Sequence, residues 1–203
     1  MTAAIRTFFN ERAETWDDRN IAESISVSER LIRELGIGAG SRVLDVGCGT
    51  GLIIPWLLEA VGGEGKVIAL DIAERMLRIA RDKHERPNVE YIHADIVRAP
   101  FLDHSFDEVV CHNCFPHVKD KEGAAREMFR ILKPGGRVAV CHNESREAIN
   151  ALHYRIGGDV GKDMLPDRPE IEAMFDRAGF GEVCITEGGD RYLMQARKPK
   201  RKQ

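Results

Sequence analysis

One short stretch, residues 43–51, constrains the fold of this chain more than any other. It reads VLDVGCGTG, an apolar strand that runs directly into a turn with glycine at every second position. Glycine lets the main chain turn tightly and lets a ligand approach the backbone closely. The apolar segment 52–61 predicts a helix, whose N-terminal amides would suit a polar or anionic group. The stretch therefore predicts a strand, a turn and a helix that bind a nucleotide-like cofactor.

Strand and helix patterns alternate along the chain after this stretch. Four more short strands are predicted, at 66–70, 89–93, 106–111 and 137–142. Helices with apolar side chains at helical spacing are predicted around 73–80 and 120–132, and the segment 133–136 is expected to break the second of them. This alternation predicts a parallel sheet covered by helices on both faces. Ligands of such sheets bind at the edge formed by the C-terminal ends of the strands.

The N-terminal residues 1–40 lie outside this repeat and are predicted to be helical. Phe9 and Trp16 fall on one face of the first helix, and Ile21 and Ile25 fall on a second helix. Two interpretations of Phe9 and Trp16 remain open. They either pack the helix against the rest of the protein or form part of a lid over the ligand site.

The C-terminal third departs from the repeat in a different way. Residues 144–167 are predicted to be irregular. A short helix follows and is expected to end at Gly179. Strands at 182–186 and 191–196 are predicted to form a hairpin through a turn at 187–190.

The length of 203 residues suits one α/β domain with a short extension. We interpret residues 1–40 as a helical cap and residues 41–142 as a cofactor-binding core. Residues 143–203 would then form a substrate-side segment and the closing hairpin. The sequence shows no internal repeat that would suggest a second domain.

Composition excludes several classes of partner. The formal net charge of −3 gives no electrostatic case for nucleic acid binding. The basic run at 197–202 is expected to be a solvated, frayed end. No apolar run is long enough to span a bilayer, and the N-terminus does not have the pattern of a signal peptide. Five cysteines, an odd number, do not suggest a disulfide framework, so a reduced, cytoplasmic protein is expected.

Two acids narrow the choice of cofactor. Asp71 ends the second strand, where a carboxylate can accept hydrogen bonds from both ribose hydroxyls. Asp95 follows the third strand and could reach an adenine amino group. The glycine spacing G-x-G-x-G differs from the dinucleotide pattern G-x-G-x-x-G, and a second glycine fingerprint is missing. These features argue against a nicotinamide-dependent oxidoreductase.

Four segments together resemble a known family. They are VLDVGCGTG (43–51), ALDIAERML (69–77), HADIVRAPFLDHSFDEVV (93–110) and RILKPGGRVAV (130–140). The chain resembles the class I S-adenosylmethionine-dependent methyltransferases, in the broad group that includes ubiquinone and menaquinone C-methyltransferases. The resemblance implies a Rossmann-like, doubly wound α/β fold. Its mostly parallel seven-stranded sheet has the order 3-2-1-4-5-7-6, the last strand antiparallel, with helices on both faces.

The resemblance also implies S-adenosyl-L-methionine as the cofactor, S-adenosyl-L-homocysteine as its product, and a set of binding residues. The methionine end of the cofactor would lie on the glycine turn, at Asp45, Gly47, Cys48, Gly49 and Gly51. The ribose and adenine would meet Asp71, Ile72, Met76, Asp95 and Ile96. The loop that starts at His112 would lie beside the sulfonium and its methyl group.

Histidines and cysteines are concentrated where the methyl acceptor would bind. The fourth and fifth strands end in the same triplet, Cys-His-Asn, at 111–113 and 141–143. Three interpretations remain open: packing with loop hydrogen bonds, a base and polar wall for an organic acceptor, or a soft-ligand pocket for a metal, metalloid or thiol. The candidate catalytic residues are His117, His112 and Cys114. The candidate substrate contacts are Trp16, Asn113, His142 and Tyr154, and no metal ligands are assigned.

The sequence therefore predicts an S-adenosylmethionine-dependent methyltransferase with a small-molecule acceptor, no nucleic acid partner and no membrane insertion. Segment 112–116 reads HNCFP, without the Asn-Pro-Pro-Tyr-type motif that handles bases. The alternatives are a methyltransferase for a thiol, metal or metalloid acceptor, and a non-catalytic S-adenosylmethionine-binding protein. The acceptor, the methylated atom and the oligomeric state are left open.

Overall fold

A seven-stranded sheet forms the centre of the computed structural model, which describes residues 3–19, 22–189 and 191–200. The strands are β1 (Arg42–Val46), β2 (Lys66–Asp71), β3 (Val89–His93), β4 (Phe106–His112), β5 (Leu132–His142), β6 (Gly181–Gly188) and β7 (Arg191–Arg197). Their order is β3-β2-β1-β4-β5-β7-β6. Strands β1 to β5 pair in parallel, and β7 runs antiparallel to both of its neighbours. The predicted fold and strand order are confirmed.

Helices cover both faces of this sheet. They are α1 (Ala3–Arg12), α2 (Ala22–Glu34), α3 (Ile54–Val61), α4 (Glu74–Lys83), α5 (Lys121–Ile131), α6 (Arg146–Ile156) and α7 (Arg168–Ala178). Short 3₁₀ helices lie at Ala13–Arg19, Ile96–Arg98, Phe115–His117 and Val160–Lys162. In the described ranges, no helix combines the length and the apolar character that a membrane crossing needs.

The central strand β1 shows why the sheet needs helices on both sides. Leu44 and Val46 pack into a core cluster that also contains residues of α5 and α7. Val43 points to the opposite face, into a cluster with residues of α2 and α3. All three side chains are fully buried. A strand that is apolar on both faces is stable only between two layers of helices.

Strand register brings the predicted functional loops to one edge. His112 of β4 pairs with Cys141 of β5, so the two Cys-His-Asn ends lie side by side as predicted. Asp45 of β1 pairs with Val110 of β4 and with Ala69 of β2. The glycine turn after β1 therefore lies between the ends of β2 and β4.

Two sequence-based boundaries were wrong. Strand β5 begins at Leu132 rather than at Arg137, because Leu132 already pairs with Phe106 of β4. The segment 133–136 follows the end of helix α5, as predicted, and shifts the register before pairing resumes at Arg137. The segment predicted to be irregular, 144–167, contains helix α6. Ser145 caps this helix, since its Oγ accepts a hydrogen bond of 3.3 Å from the Ala148 amide. The end of α7 at Gly179 is confirmed, with a left-handed φ of 101°.

The basic tail also differs from the expectation of a frayed end. Lys198 is only 6% exposed. Its Nζ donates hydrogen bonds to the carbonyls of Phe129, at 2.6 Å, and Leu132, at 2.9 Å. A cation is favourable there because these carbonyls lie at the C-terminus of α5. The predictions for Ile21, for Asp190 in the hairpin turn and for 201–202 lie outside the described residues.

Candidate functional site

Two adjoining cavities open at the C-terminal edge of the sheet. The first, which we call the glycine-loop cavity, has a volume of about 250 Å³. It is lined by Phe9, Trp16, Ser24, Gly47, Cys48, Gly49, Thr50, Leu52, Asp71, Ile72, Met76, His112, Asn113, Cys114 and His117. Of the predicted cofactor residues, it brings together Gly47, Cys48, Gly49, Asp71, Ile72, Met76 and His112.

The glycine turn leaves room for a ligand in this cavity because it carries few side chains. Two of its amides are not available as hydrogen-bond donors to that ligand. A Cβ on Gly47 would lie 2.0 Å from the Cys114 Sγ, and Gly47 has a φ of 69°, so only glycine fits there. A Cβ on Gly49 would meet no atom within 4 Å. The amides of Gly47 and Cys48 both donate to the Leu70 carbonyl, at 2.7 and 3.1 Å. These two amides are therefore engaged within the protein and do not face a ligand.

Two buried acids lie beneath and beside the turn. Asp71 is 8% exposed, and its carboxylate accepts hydrogen bonds of 2.8 Å from the amides of Gly49 and Ala73. Burial nevertheless raises its pKa above the usual value. Asp45 is 1% exposed, and its Oδ2 has no hydrogen-bond partner. Burial, and then the charge of Asp71, raise the pKa of Asp45 to about 8.

These residues fit the S-adenosylmethionine that the family resemblance implies. That molecule carries a sulfonium and an ammonium group, and both would be stabilised by Asp45 and Asp71. The unpartnered Oδ2 of Asp45 can accept a further hydrogen bond. Asp71 would also hold the ribose hydroxyls, and Ile72 and Met76 offer apolar surface for the adenine.

Four of the predicted cofactor residues do not line the glycine-loop cavity: Asp45, Gly51, Asp95 and Ile96. The carboxylate of Asp95 accepts a hydrogen bond of 3.1 Å from the Val97 amide and caps the 3₁₀ helix that follows. Ile96 is fully buried in the core. The contacts of Asp95 and Ile96 with the adenine stay predictions.

The ends of β4 and β5 are tied together and to helix α2. The Nε2 of His112 donates to the Asn143 Oδ1 at 2.9 Å, and burial lowers the pKa of His112 to about 4. Asn143 also donates through Nδ2 to the hydroxyl of Ser24 at 2.8 Å. Asn113 adopts a left-handed φ of 50° and accepts a hydrogen bond of 3.1 Å from the Asn143 amide. This network fixes His112 in the cavity wall as a neutral imidazole.

The second cavity, which we call the histidine cavity, has a volume of about 230 Å³. It is lined by Phe8, Phe9, Trp16, Ser24, Asn113, Pro116, His117, His142, Asn143, Glu144, Ile149, Leu152, His153, Ile156 and Val160. Three of the predicted substrate residues, Trp16, Asn113 and His142, lie in this lining. The structure does not bring Tyr154 to the site, because it is 77% exposed on the outer face of α6.

Two residues that were assigned no role from the sequence, Asp163 and His153, contact His117. His117 donates from Nδ1 to the Asp163 Oδ2 at 2.9 Å. Its ring also lies 5.0 Å from that of Phe9 and 4.8 Å from that of His153. One signal in the sequence could have predicted helix α6 and the position of His153. Ile149, His153 and Ile156 have helical spacing, and they follow Ser145, a residue type that caps helices. Asp163 had no comparable signal.

Three of the buried cysteines, Cys48, Cys111 and Cys141, are thiols rather than thiolates. Cys48, Cys111, Cys114 and Cys141 are buried, and Cys184 is exposed; all five are free. Burial raises the pKa of Cys48 and Cys141, and contact with Cys114 together with burial raises that of Cys111. Throughout the described ranges, no group of three or more His, Cys, Asp or Glu side chains is arranged to hold a metal ion. This chemistry gives little support to a soft-ligand pocket.

Comparison with known proteins agrees with the fold and with the predicted family. A family model described as a methyltransferase domain matches residues 44–140. The ubiquinone/menaquinone biosynthesis C-methyltransferase of Cronobacter sakazakii is 35% identical over 174 residues, which cover 73% of this chain and 69% of that protein. The demethylmenaquinone methyltransferase of Staphylococcus aureus is 32% identical over 181 residues, which cover 77% and 75%.

A solved structure also supports membership of the methyltransferase family. The crystal structure of an S-adenosylmethionine-dependent methyltransferase from Aquifex aeolicus superposes with a TM-score of 0.75 at 25% identity. The match covers 93% of this chain and 97% of that one. From the sheet order, the cavity at its edge and these relatives, we conclude that the chain belongs to the class I S-adenosylmethionine-dependent methyltransferases.

Proposed function

We propose that this enzyme methylates a small organic acceptor bound in the histidine cavity, with S-adenosylmethionine bound in the glycine-loop cavity. One observation carries the proposal. The two cavities share part of their lining, namely Phe9, Trp16, Ser24, Asn113 and His117. A molecule in the second cavity therefore lies next to the end of the first. Adjacent binding sites are what in-line transfer between two small molecules requires.

S-adenosylmethionine is an activated methyl donor, so the protein itself needs to supply little covalent chemistry. When bound, S-adenosylmethionine supplies a methyl group on a positively charged sulfur, whose departure leaves a neutral thioether. The side chains of this chain then need only hold the acceptor, exclude water and accept a proton. The aromatic rings of Phe9 and Trp16, 5.2 Å apart, are suited to excluding water from the shared wall.

The histidine cavity favours a neutral acceptor with a flat, apolar body. Phe8, Ile149 and Val160 supply apolar surface. Burial lowers the pKa of His142 and of His153, so both imidazoles are neutral near pH 7. Two relatives of this chain are named as a ubiquinone/menaquinone biosynthesis C-methyltransferase and a demethylmenaquinone methyltransferase. A quinol, which is flat and neutral, is therefore the first acceptor to test.

His117 is the predicted catalytic residue that the contacts support best. It lies in the wall shared by both cavities. His112 uses its Nε2 for the hydrogen bond to Asn143, and Cys114 packs against the glycine turn. We assign His117 the role of proton acceptor for the methyl acceptor.

Residues 1–40 act in this proposal as a cap over the site, above the core at 41–142 and the substrate-side segment at 143–203. The 3₁₀ helix that follows α1 contacts the cofactor loop, since the Thr50 hydroxyl donates to the Asp17 carboxylate at 2.7 Å. Helix α1 is held to α4 through Glu74, which accepts hydrogen bonds of 2.8 Å from Arg6 and Asn10. These contacts hold the segment whose Phe9 and Trp16 line both cavities, which supports the role of a cap.

The proposal is tested by two measurements on the purified protein. Calorimetry is expected to show binding of S-adenosylmethionine and S-adenosylhomocysteine. Formation of S-adenosylhomocysteine is then followed with 1,4-naphthalenediol, catechol, phenethylamine, dithiothreitol and arsenite as acceptors. We expect turnover with the hydroxyl-bearing rings. Turnover with dithiothreitol or arsenite alone would support the thiol or metalloid alternative, and binding with no turnover would support a non-catalytic protein.

A further inference from the structure

The loop after α6 places the buried carboxylate of Asp163 against His117, which lines the histidine cavity. Resting on the proposed function, we propose that Asp163 is a positioning residue that holds His117 with its proton on Nδ1, so that Nε2 is free to take a proton from the methyl acceptor. The acceptor is therefore one that loses a proton on methylation, such as a phenolic hydroxyl or an acidic carbon.

The two ring nitrogens of His117 have different surroundings. Asp163 Oδ2 lies 2.9 Å from Nδ1, and the side chain of Asp163 is fully buried. Asp163 does not line either cavity, whereas His117 lines both. The side chain of His117 is 11% exposed. With Nδ1 engaged by the buried carboxylate, Nε2 is the ring nitrogen left for a ligand in the cavities.

The charge of Asp163 fixes the direction of this hydrogen bond. Although burial alone would raise its pKa, hydrogen bonds from His117 and Lys119 hold that pKa below the usual value. The carboxylate is therefore ionised at neutral pH and can only accept. Lys119 donates to the other oxygen, Oδ1. A neutral His117 that donates from Nδ1 has an unprotonated Nε2.

A second imidazole reinforces the arrangement. His153 donates from Nδ1 to the main-chain carbonyl of Asp163, and its ring lies 4.8 Å from that of His117. Both rings are thus held by the same residue, one by its side chain and one by its backbone. His142 also faces this group, and its pKa is lowered by burial and by the neighbouring histidines. The pKa values of His142 and His153 are lowered, so these two imidazoles add no positive charge beside His117 near neutral pH.

The proton transfer balances without any further reactant. The acceptor's oxygen or carbon forms a bond to the methyl carbon while the proton of the acceptor moves to the Nε2 of His117. The electron pair of the broken carbon–sulfur bond stays on sulfur. The imidazolium formed is stabilised by the Asp163 carboxylate and later releases its proton to water.

The tautomer of His117 can be measured directly. Two-bond ¹H–¹⁵N correlation spectra of histidine-labelled protein at pH 8 distinguish the protonated ring nitrogen, and H117Q assigns the signal. We expect the Nδ1–H tautomer in the wild type. In D163N the population should shift toward Nε2–H, and D163E should restore part of the wild-type signal. A wild type with the proton on Nε2 overturns the proposal without the need for any variant.

Steady-state kinetics then show whether Asp163 positions His117 or only supports the fold. With 1,4-naphthalenediol as acceptor, D163N should lower kcat by about tenfold or more, while KM and the Kd for S-adenosylmethionine change less than about twofold. D159N is the matched control, because Asp159 is an exposed carboxylate in the same turn. Equal kcat for D163N and D159N overturns the role. Failure of the proposed function would appear separately, as no turnover by the wild type with any acceptor.

Discussion

The two cavities are built in opposite ways. The glycine-loop cavity takes most of its chemistry from one continuous stretch, 47–50, and from Asp71 at the end of the next strand. The histidine cavity is assembled from separate segments, which contribute Phe9, His117 and His153 among others. The cofactor side is therefore specified by local sequence, and the acceptor side only by tertiary packing. Substitutions on the two sides should change different measurements.

The largest effect is expected at Gly47. Gly47→Ala would place a Cβ 2.0 Å from the Cys114 Sγ at a left-handed φ of 69°. Strain and overpacking together should destabilise the fold by about 2–5 kcal/mol and abolish detectable binding of S-adenosylmethionine. Gly40→Ala, with a φ of 79° and no atom within 4 Å of the added Cβ, isolates the backbone strain. Thermal unfolding of the two variants checks this, and equal melting temperatures would remove the steric argument.

The sharpest contrast between the cavities is expected from His117→Gln and Asp71→Ala. His117→Gln should lower kcat about 100-fold and leave the Kd for S-adenosylmethionine within about twofold. Asp71→Ala should weaken cofactor binding by about 1–3 kcal/mol, because the ribose hydroxyls lose their acceptor. Calorimetry and steady-state kinetics on both variants measure the split. If both variants lose the same property, the separation of the two sites is wrong.

Cofactor affinity should depend on pH through Asp45. Its pKa is raised from 3.8 to about 8, so it is mostly protonated at pH 7 in the free protein. A cationic ligand favours the ionised form, so affinity for S-adenosylmethionine should rise about three- to tenfold between pH 6.5 and 8.5. The free protein should lose stability over the window from about 4 to 8, because the folded state keeps a proton that the unfolded chain releases.

Asp45→Asn provides the test of that pH dependence. The variant keeps the size of the side chain but cannot ionise, so its affinity for S-adenosylmethionine should be nearly flat over the same range. Titration of the cofactor's own amino group is common to both proteins and cancels in the comparison. An equally steep dependence in the variant would assign the effect to another group.

The smallest effect is expected where the cap meets the cofactor loop. Asp17 accepts a hydrogen bond from Thr50 and pairs with Lys83. Asp17→Ala should raise KM for S-adenosylmethionine about two- to fivefold, since a partly exposed contact of this kind is worth about 1 kcal/mol. Glu11→Ala, which removes an exposed ion pair with Arg12 inside the cap, serves as the control. Equal KM values for the two variants would show that the cap contact does not support the loop.

Most of the fold could be predicted because its signals are local. The strand and glycine turn at 43–51 and the apolar strands β2 and β3 are each encoded in neighbouring residues. Helix α6 was missed because its buried face includes His153, which a search for apolar periodicity does not count. Lys198 was misjudged because its partners are the carbonyls at the end of α5, far away in sequence.

The site was predictable only in part, for the same reason. Asp71 is the last residue of strand β2, so the sequence predicts its place in the glycine-loop cavity. The pairing of His117 with Asp163 spans 46 residues and depends on how α6 and the loop after it pack. Tyr154 and His153 are adjacent in sequence, but they lie on different faces of helix α6. His153 lies on the buried face and Tyr154 on the exposed one. The helical spacing of His153 from Ile149 is the one local signal for its position, and Asp163 has none.

The central claim is that the acceptor occupies the histidine cavity, and a blocking variant tests it most directly. Leu152 lines that cavity only and is 41% exposed, so Leu152→Trp fills the cavity with little strain on the core. Leu102→Trp, at a site 81% exposed and outside both cavities, is the matched control. With 1,4-naphthalenediol, we predict that Leu152→Trp loses S-adenosylhomocysteine formation while its Kd for S-adenosylmethionine matches that of the control. Wild-type turnover by Leu152→Trp would contradict the claim.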